Sequence, residues 1–74
     1  MTRYLIGDKF IDETTGFLWQ VKHIQAIRDE DGFDPEECYG LERISGRSRS
    51  ELWIIPVQGL HCDVKTTLIP RQTN

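Results

Sequence analysis

The chain has 74 residues with 12 acidic and 9 basic side chains, a formal net charge of −3. A chain of this length forms one domain with a small core, because it buries only about 60–65% of its unfolded surface. No stretch approaches the roughly 20 apolar residues of a membrane-spanning helix, and the net acidity argues against general nucleic-acid binding, which depends on clustered Lys and Arg. Residues 1–8 lack the pattern of a signal peptide. We therefore expect a single cytoplasmic domain spanning residues 1–74.

The chain contains two cysteines, Cys38 and Cys62. Two are too few for the disulfide scaffold that stabilises small secreted domains. A single bridge between them stays open as an alternative, but free thiols in a reducing compartment are the expectation.

The first part of the chain predicts two strands joined by a turn. A short strand is predicted over Lys9–Asp12, and Asp12–Gly16 combines short polar side chains with a glycine that is free to adopt positive φ. The longest strand is predicted over Phe17–Ile27, where apolar and polar residues alternate. The alternation slips near Lys22-His23, which indicates a β-bulge. A helix over His23–Arg28 is the competing interpretation.

The second part predicts three further strands. The predicted strands are Cys38–Ile44, Leu52–Val57 and, as the last clear strand, Leu60–Lys65. A loop over Arg28–Glu37 precedes the first of them, and a polar hairpin over Ser45–Ser50 joins the first to the second. After the last strand we expect a turn with a short closing piece over Thr66–Pro70 and a frayed end at residues 71–74. Pro56 suits a strand end or a sheet edge, because it donates no hydrogen bond. Five short strands separated by turns predict an all-β fold, a small five-stranded antiparallel barrel with little or no helix.

Three motifs follow this strand pattern: Gly7-Asp8-Lys9-Phe10, Gly16-Phe17-Leu18-Trp19-Gln20-Val21 and Tyr39-Gly40-Leu41. Together they resemble the opening of small SH3-like barrels of the KOW-related kind, in which a Gly-Asp-Lys/Arg-Val beginning precedes a turn and a long strand. The resemblance implies an SH3-like barrel over residues 7 to about 65. The chain departs from that pattern in the acidic insertion at 28–37, and it lacks the glycine and basic run of the RNA-binding members. RNA binding is therefore not implied.

The strand Leu52–Val57 is the most apolar run of the chain, and both of its faces are apolar. The predicted barrel interior comprises Phe17, Trp19, Val21, Tyr39, Leu41, Leu60, Cys62 and Val64, together with Leu52 and Ile54 from one face of this strand. The opposite face carries Trp53, Ile55 and Val57 and has no predicted cover. It is a candidate binding surface, and it is also a candidate contact between copies of the chain.

Seven acidic residues and no base lie between Asp29 and Glu42. The spacing is wrong for a calcium-binding EF-hand loop, because Pro35 interrupts it and the glycine is misplaced. The segment is either a solvated loop or an acidic surface that steers onto a basic partner. Phe33 inside it is an apolar anchor for a partner or a cap on the barrel. The predicted partner-binding residues are Asp29, Glu30, Asp31, Phe33, Asp34, Glu36, Glu37, Trp53 and Ile55.

Three arginines and no acid lie between Arg43 and Ser50. Arginines with neighbouring serines suit phosphate binding, although three charges bind weakly and only at low salt. A soluble hairpin that prevents strand pairing with neighbours is the competing interpretation. The alternative nucleic-acid-binding set is Arg43, Arg47, Arg49 and the aromatic Tyr39.

The sequence predicts neither an enzyme nor a cofactor site. No nucleophile stands beside a base in a recognisable arrangement, and no glycine-rich phosphate loop is present. His23, Cys38, His61 and Cys62 have the chemistry of zinc ligands but not the close spacing of a zinc site. The predicted function is a small non-enzymatic protein-binding module with an unknown protein partner, of the accessory or inhibitor type encoded by phages and mobile elements.

Overall fold

The structure is a computed structural model that describes residues 3–27, 35–46 and 51–71. Its elements are β1 (Lys9–Asp12), β2 (Leu18–Ile27), β3 (Glu36–Arg43), β4 (Leu52–Pro56), α1 (Val57–Asp63) and β5 (Thr66–Leu68). The strands form one antiparallel sheet in the order β4-β3-β2-β1-β5. The predicted number of strands, five, and their antiparallel arrangement are confirmed, although the last strand lies elsewhere in the chain than predicted. Among the described residues the pairing leaves β4 and β5 as the two edges of the sheet, so it does not close the sheet into a barrel.

The turn between β1 and β2 follows the prediction from its sequence. Gly16 adopts a positive φ of 78°, and its N–H donates to the Asp12 carbonyl at 2.6 Å. The Asp12 carboxylate accepts from the Thr14 N–H at 2.9 Å, a local bond that favours turns over regular structure. The bounds of β1 agree with the predicted Lys9–Asp12.

The bulge predicted in β2 is also confirmed. The register with β3 shifts between Val21 and His23, so the competing helix is wrong for the described residues 23–27. Ile24 faces Tyr39 after the shift, and His23 lies over Gly40. A Cβ at Gly40 would clash with the His23 ring, so the bulge and the glycine allow the ring to lie on the backbone of β3.

The strand predicted over Leu60–Lys65 is wrong, because α1 occupies residues 57–63 and the last strand is Thr66–Leu68. Leu60 and Val64 share a face in a strand, but they are also four residues apart and share a face in a helix. Val57, three residues before Leu60, lies on the same face of that helix, although the sequence equally allows Val57 to end the strand predicted over Leu52–Val57. Leu60 is fully buried and Val64 packs against the core.

The core lies on one face of the sheet beneath α1. Five predicted interior residues are buried: Trp19, Val21, Tyr39, Leu41 and Leu60. Phe17 and Val64 are partly buried against them. Cys62 is exposed, so its predicted place in the core is wrong for the same reason as the strand. The pattern also missed two core aromatics, Tyr4 and Phe10, whose rings stack at a centroid distance of 5.3 Å.

The two ends of the described chain meet at Asp8. Its buried carboxylate accepts from Arg71 Nε at 2.7 Å and from Arg71 Nη2 at 2.6 Å, a bidentate pair. The Arg71 hydrogen bonds hold the pKa of Asp8 below its usual range, although burial opposes them and the Leu5 N–H adds to them. The sequence predicted a frayed end at residues 71–74, but Arg71 is attached to the fold. Residues 72–74 lie outside the described residues.

Candidate protein-binding surface

The two faces of β4 are opposite to the assignment made from the sequence. Leu52 is 80% exposed and Ile54 is 52% exposed, so their predicted place in the core is wrong. Trp53 and Ile55 are partly buried and pack against the core. The Trp53 and Trp19 rings lie 5.3 Å apart between centroids. The open apolar face of β4 is therefore the one that carries Leu52 and Ile54.

β4 also presents main-chain groups at the edge of the sheet. The Arg43 N–H donates to the Glu51 carbonyl at 2.9 Å, which makes these residues a hydrogen-bonded pair of the antiparallel ladder. Bonded and non-bonded pairs alternate along such a ladder, so Leu52 and Ile54 direct their N–H and C=O groups away from β3. In the part of the chain that the structure describes, β4 pairs with β3 alone. Pro56 occupies the next outward position, where its missing N–H removes no bond to β3.

A shallow depression lies at each end of β4. The one beside Leu52 has a volume of about 290 Å³, and its lining includes the carboxylates of Asp12 and Glu51. The one beyond Pro56 has a volume of about 470 Å³, and its lining includes Glu36 and Glu37. Acidic side chains therefore occur at both ends of the exposed strand.

One base accompanies the two acids at each end, but the acids differ in exposure. At the Leu52 end, the buried Arg43 lies 3.5 Å from Glu51. At the Pro56 end, Arg3 shares the depression with two exposed glutamates. Glu36 and Glu37 are both exposed and precede Cys38, which pairs with Pro56, whereas Asp12 at the Leu52 end is buried. The Pro56 end is the more acidic of the two.

Most of the predicted acidic surface lies outside the described residues. Five of the predicted partner-binding residues lie outside the described residues: Asp29, Glu30, Asp31, Phe33 and Asp34. Glu36 and Glu37 are exposed at the start of β3. Trp53 and Ile55, which complete that set, belong mainly to the core side of β4.

The two described residues of the predicted nucleic-acid surface, Tyr39 and Arg43, are both buried. Tyr39 is fully buried, and Arg43 is only 5% exposed. The Arg43 guanidinium lies 4.6 Å from the centroid of the Phe17 ring, a cation–π geometry. Arg47 and Arg49 lie outside the described residues. Neither Tyr39 nor Arg43 is presented for stacking on a base or for gripping a phosphate.

Hydrogen bonds and ring contacts connect a group of residues that we call the Tyr39 cluster. It consists of Tyr4, Tyr39, His61 and the backbone of Arg3. The Tyr39 hydroxyl oxygen accepts from the N–H groups of Arg3 and Tyr4, each at 3.0 Å. It lies 2.9 Å from His61 Nε2. A hydroxyl has two lone pairs and one proton, so Tyr39 donates that proton to His61. From this count we infer that His61 Nε2 is the acceptor and that the ring carries its proton on Nδ1.

The surroundings of His61 favour this neutral form. Burial lowers the pKa of His61, and the positive charge of Arg3 lowers it further. The ring also contacts Tyr4 edge-on at a centroid distance of 4.7 Å. The cluster attaches the N-terminal segment and α1 to the middle of β3, which is a structural role.

The remaining histidine and the cysteines do not form a common site. Cys38 and Cys62 are free, as expected. Burial raises the pKa of the Cys38 thiol, and the Glu36 charge raises it further. Among the described residues, no three or more His, Cys, Asp or Glu side chains are grouped to hold a metal ion.

Within the described ranges, the single helix is too short to cross a membrane. Comparison of the chain with protein-family models, with curated proteins and with solved structures gave no match.

Proposed function

We propose that the chain is a small non-enzymatic protein-binding module that acts through its acidic segment and the exposed apolar face of β4. The observation that carries this proposal is the exposure of Leu52 and Ile54 on an edge strand. Contiguous apolar groups on the surface of a small domain mark contact sites, and an unpaired edge strand invites pairing with another chain.

The acidic segment defines the kind of partner. Seven acids and no base between Asp29 and Glu42 accelerate association with a basic surface and suppress binding to acidic ones. The partner is therefore a protein with a basic and apolar surface. Blocking such a surface is the action expected of an accessory or inhibitor protein.

The test is affinity capture of proteins from a native lysate. Reversing the charges in a variant that combines Asp29→Lys, Asp31→Lys and Asp34→Lys should abolish capture and leave the far-ultraviolet circular dichroism spectrum unchanged. A matched variant, Asp63→Lys, reverses an exposed acid on α1 and should capture as the wild type does. Equal capture by the triple variant and the wild type would reject the acidic segment as a contact surface. Capture of no protein by the wild type would reject the function.

We further propose that the sheet curves into an open SH3-like barrel, in which β4 and β5 approach each other through their side chains while their main-chain edges stay unpaired. In a flat five-stranded sheet, β4 and β5 would lie four strand spacings apart, about 19 Å. Here Asp12 of β1 lines the same depression as Leu52 and Trp53 of β4, although β2 and β3 lie between those strands in the pairing order, which supports a curved sheet. Nuclear Overhauser contacts between the Trp53 and Leu68 side chains would support closure, and their absence in an assigned spectrum would count against it.

A further inference from the structure

The β4 edge, defined as Leu52, Ile54 and Pro56, has the main-chain geometry of an acceptor for another strand. Leu52 and Ile54 each direct one N–H and one C=O away from β3, and Pro56 directs a C=O only. A strand added here would form main-chain hydrogen bonds, which supply affinity in strand-addition complexes. The three-residue strand β5 offers a shorter edge on the other side.

The side chains of β4 favour an apolar occupant. On the outer face, Leu52 and Ile54 are exposed. On the inner face, Trp53 and Ile55 are only partly buried, at the margin of the core. An added strand would lie beside both rows, so apolar side chains on either of its faces would be covered. Alternate side chains of such a strand provide specificity.

The charges of the chain favour a basic segment of a partner protein, rather than a second copy of this chain, as the strand added at the β4 edge. Two copies of a chain of net charge −3 repel each other. A two-fold pairing centred on Ile54 would also set Leu52 against Pro56 of the other copy, and the missing proline N–H would remove a bond on each side. The exposed glutamates Glu36 and Glu37 at the Pro56 end instead complement positive charge.

We propose that the β4 edge binds an extended, apolar segment of a partner protein by antiparallel strand addition, with basic residues of that segment at the Pro56 end of β4, two strand spacings, about 10 Å, from Glu36 and Glu37. This inference rests on the proposed protein-binding function and specifies its mode. In the antiparallel direction, the N-terminal end of the added segment lies at the Pro56 end of β4. The basic residues therefore precede the apolar ones in the partner segment.

The probe is a synthetic peptide in which a run of lysines precedes alternating valine and threonine. Its matched control replaces the lysines by glutamates. The readouts are fluorescence anisotropy of the labelled peptide and hydrogen exchange of the Leu52 and Ile54 amides in the full chain. We expect the lysine peptide to bind at least about tenfold more tightly than the glutamate peptide, and to slow exchange at both amides.

A backbone variant tests the pairing itself. Ile54→Pro removes an outward N–H without removing a bond to β3, so the sheet should persist while peptide affinity falls about tenfold. Ile54→Thr keeps the N–H and is the matched control. If Ile54→Pro does not fold, exchange at the wild-type amides decides alone. Peptide binding without slowed exchange at Leu52 and Ile54 would overturn the proposal, as would a concentration-dependent dimer that does not bind the peptide.

Lysate capture separates this proposal from the function on which it rests. If Ile54→Pro captures the same proteins as the wild type, strand addition is wrong and the protein-binding function stands. If the wild type captures nothing, the function itself is wrong.

Discussion

The Tyr39 cluster and the β4 edge use polar groups of one sheet in opposite ways. At Tyr39 the hydroxyl has its two lone pairs and its proton all engaged. At the edge, Leu52 and Ile54 direct main-chain groups outward from a strand that, in the described part of the chain, has one neighbour. A region with satisfied polar groups stabilises the fold, because leaving any of them unpaired when buried is costly. A region with open groups contributes little to stability and is available for recognition.

The largest expected loss of stability follows from a change in α1, where Leu60 packs into the core. Leu60 is fully buried, so Leu60→Ala should lower the free energy of unfolding by about 2–5 kcal/mol through lost burial and a cavity. Urea denaturation followed by tryptophan fluorescence measures the change. Gln58→Ala, at an exposed position of the same helix, is the control and should have little effect. Similar losses in the two variants would show that α1 is not anchored as described.

The next largest loss of stability is expected when the Tyr39 hydroxyl, the centre of the Tyr39 cluster, is removed. Tyr39→Phe leaves the Arg3 and Tyr4 N–H groups without their acceptor, and His61 without its donor. We expect a loss of about 1–3 kcal/mol in the free energy of unfolding. Tyr4→Phe removes only the 2.6 Å contact with the Thr66 hydroxyl and should cost less. The reverse order of the two variants would contradict the assignment of Tyr39 as the centre.

A pH dependence tests the direction of the Tyr39–His61 bond. The pKa of His61 in the folded chain lies below the usual histidine value of 6.5, so the unfolded chain binds the proton more readily than the folded chain. The His61 contribution to stability is therefore full above about pH 6.5 and declines as pH falls through the folded pKa. Protonated Nε2 would be a donor facing a hydroxyl with no free lone pair.

The measurement is urea denaturation at about pH 7.5 and about pH 5.5, a range in which histidine is the side chain that ordinarily titrates. Stability should fall at the lower pH in the wild type and in His23→Gln, but much less in His61→Gln. An equal fall in all three proteins would place the titrating group elsewhere.

The Asp8–Arg71 pair acts in a different pH range. Because the Asp8 pKa is lowered from 3.8, the contribution of this pair to stability persists above that value and is lost as pH falls through the folded pKa.

The smallest expected effect on stability is at the β4 edge. Because Leu52 and Ile54 are exposed, the double variant Leu52→Lys with Ile54→Lys should change the free energy of unfolding by no more than about 0.5 kcal/mol per site. The same two changes at Trp53 and Ile55, which pack against the core, should be strongly destabilising. Thermal denaturation of the two double variants compares the faces directly. Equal destabilisation would mean that β4 has no free face.

Local chemistry made several parts of this fold predictable. The turn at Gly16 follows from short polar side chains and a residue that tolerates positive φ. The bulge near His23 follows from a slip in the two-residue alternation. Both signals lie within a few adjacent residues, although the slip by itself left a helix over His23–Arg28 open.

The site was less predictable, because β4 is apolar on both faces. Alternation separates Leu52 and Ile54 from Trp53 and Ile55, but it does not say which row meets the core. The ring of Trp19 on β2 decides this by contacting Trp53 across the core side of the sheet. A non-local contact of this kind leaves no signal in the sequence of β4.

The sequence by itself determined the strand-rich class, the first turn, the bulge and the concentration of acids before β3. It did not determine the state of residues 57–63, because Leu60 and Val64 satisfy both the strand and the helix period. Only the tertiary structure decided that Leu60 enters the core from a helix, which face of β4 stays open, and that Tyr39 is a buried hub. The physical reason is that a local pattern fixes which side chains share a face, whereas packing against distant segments fixes which face is buried.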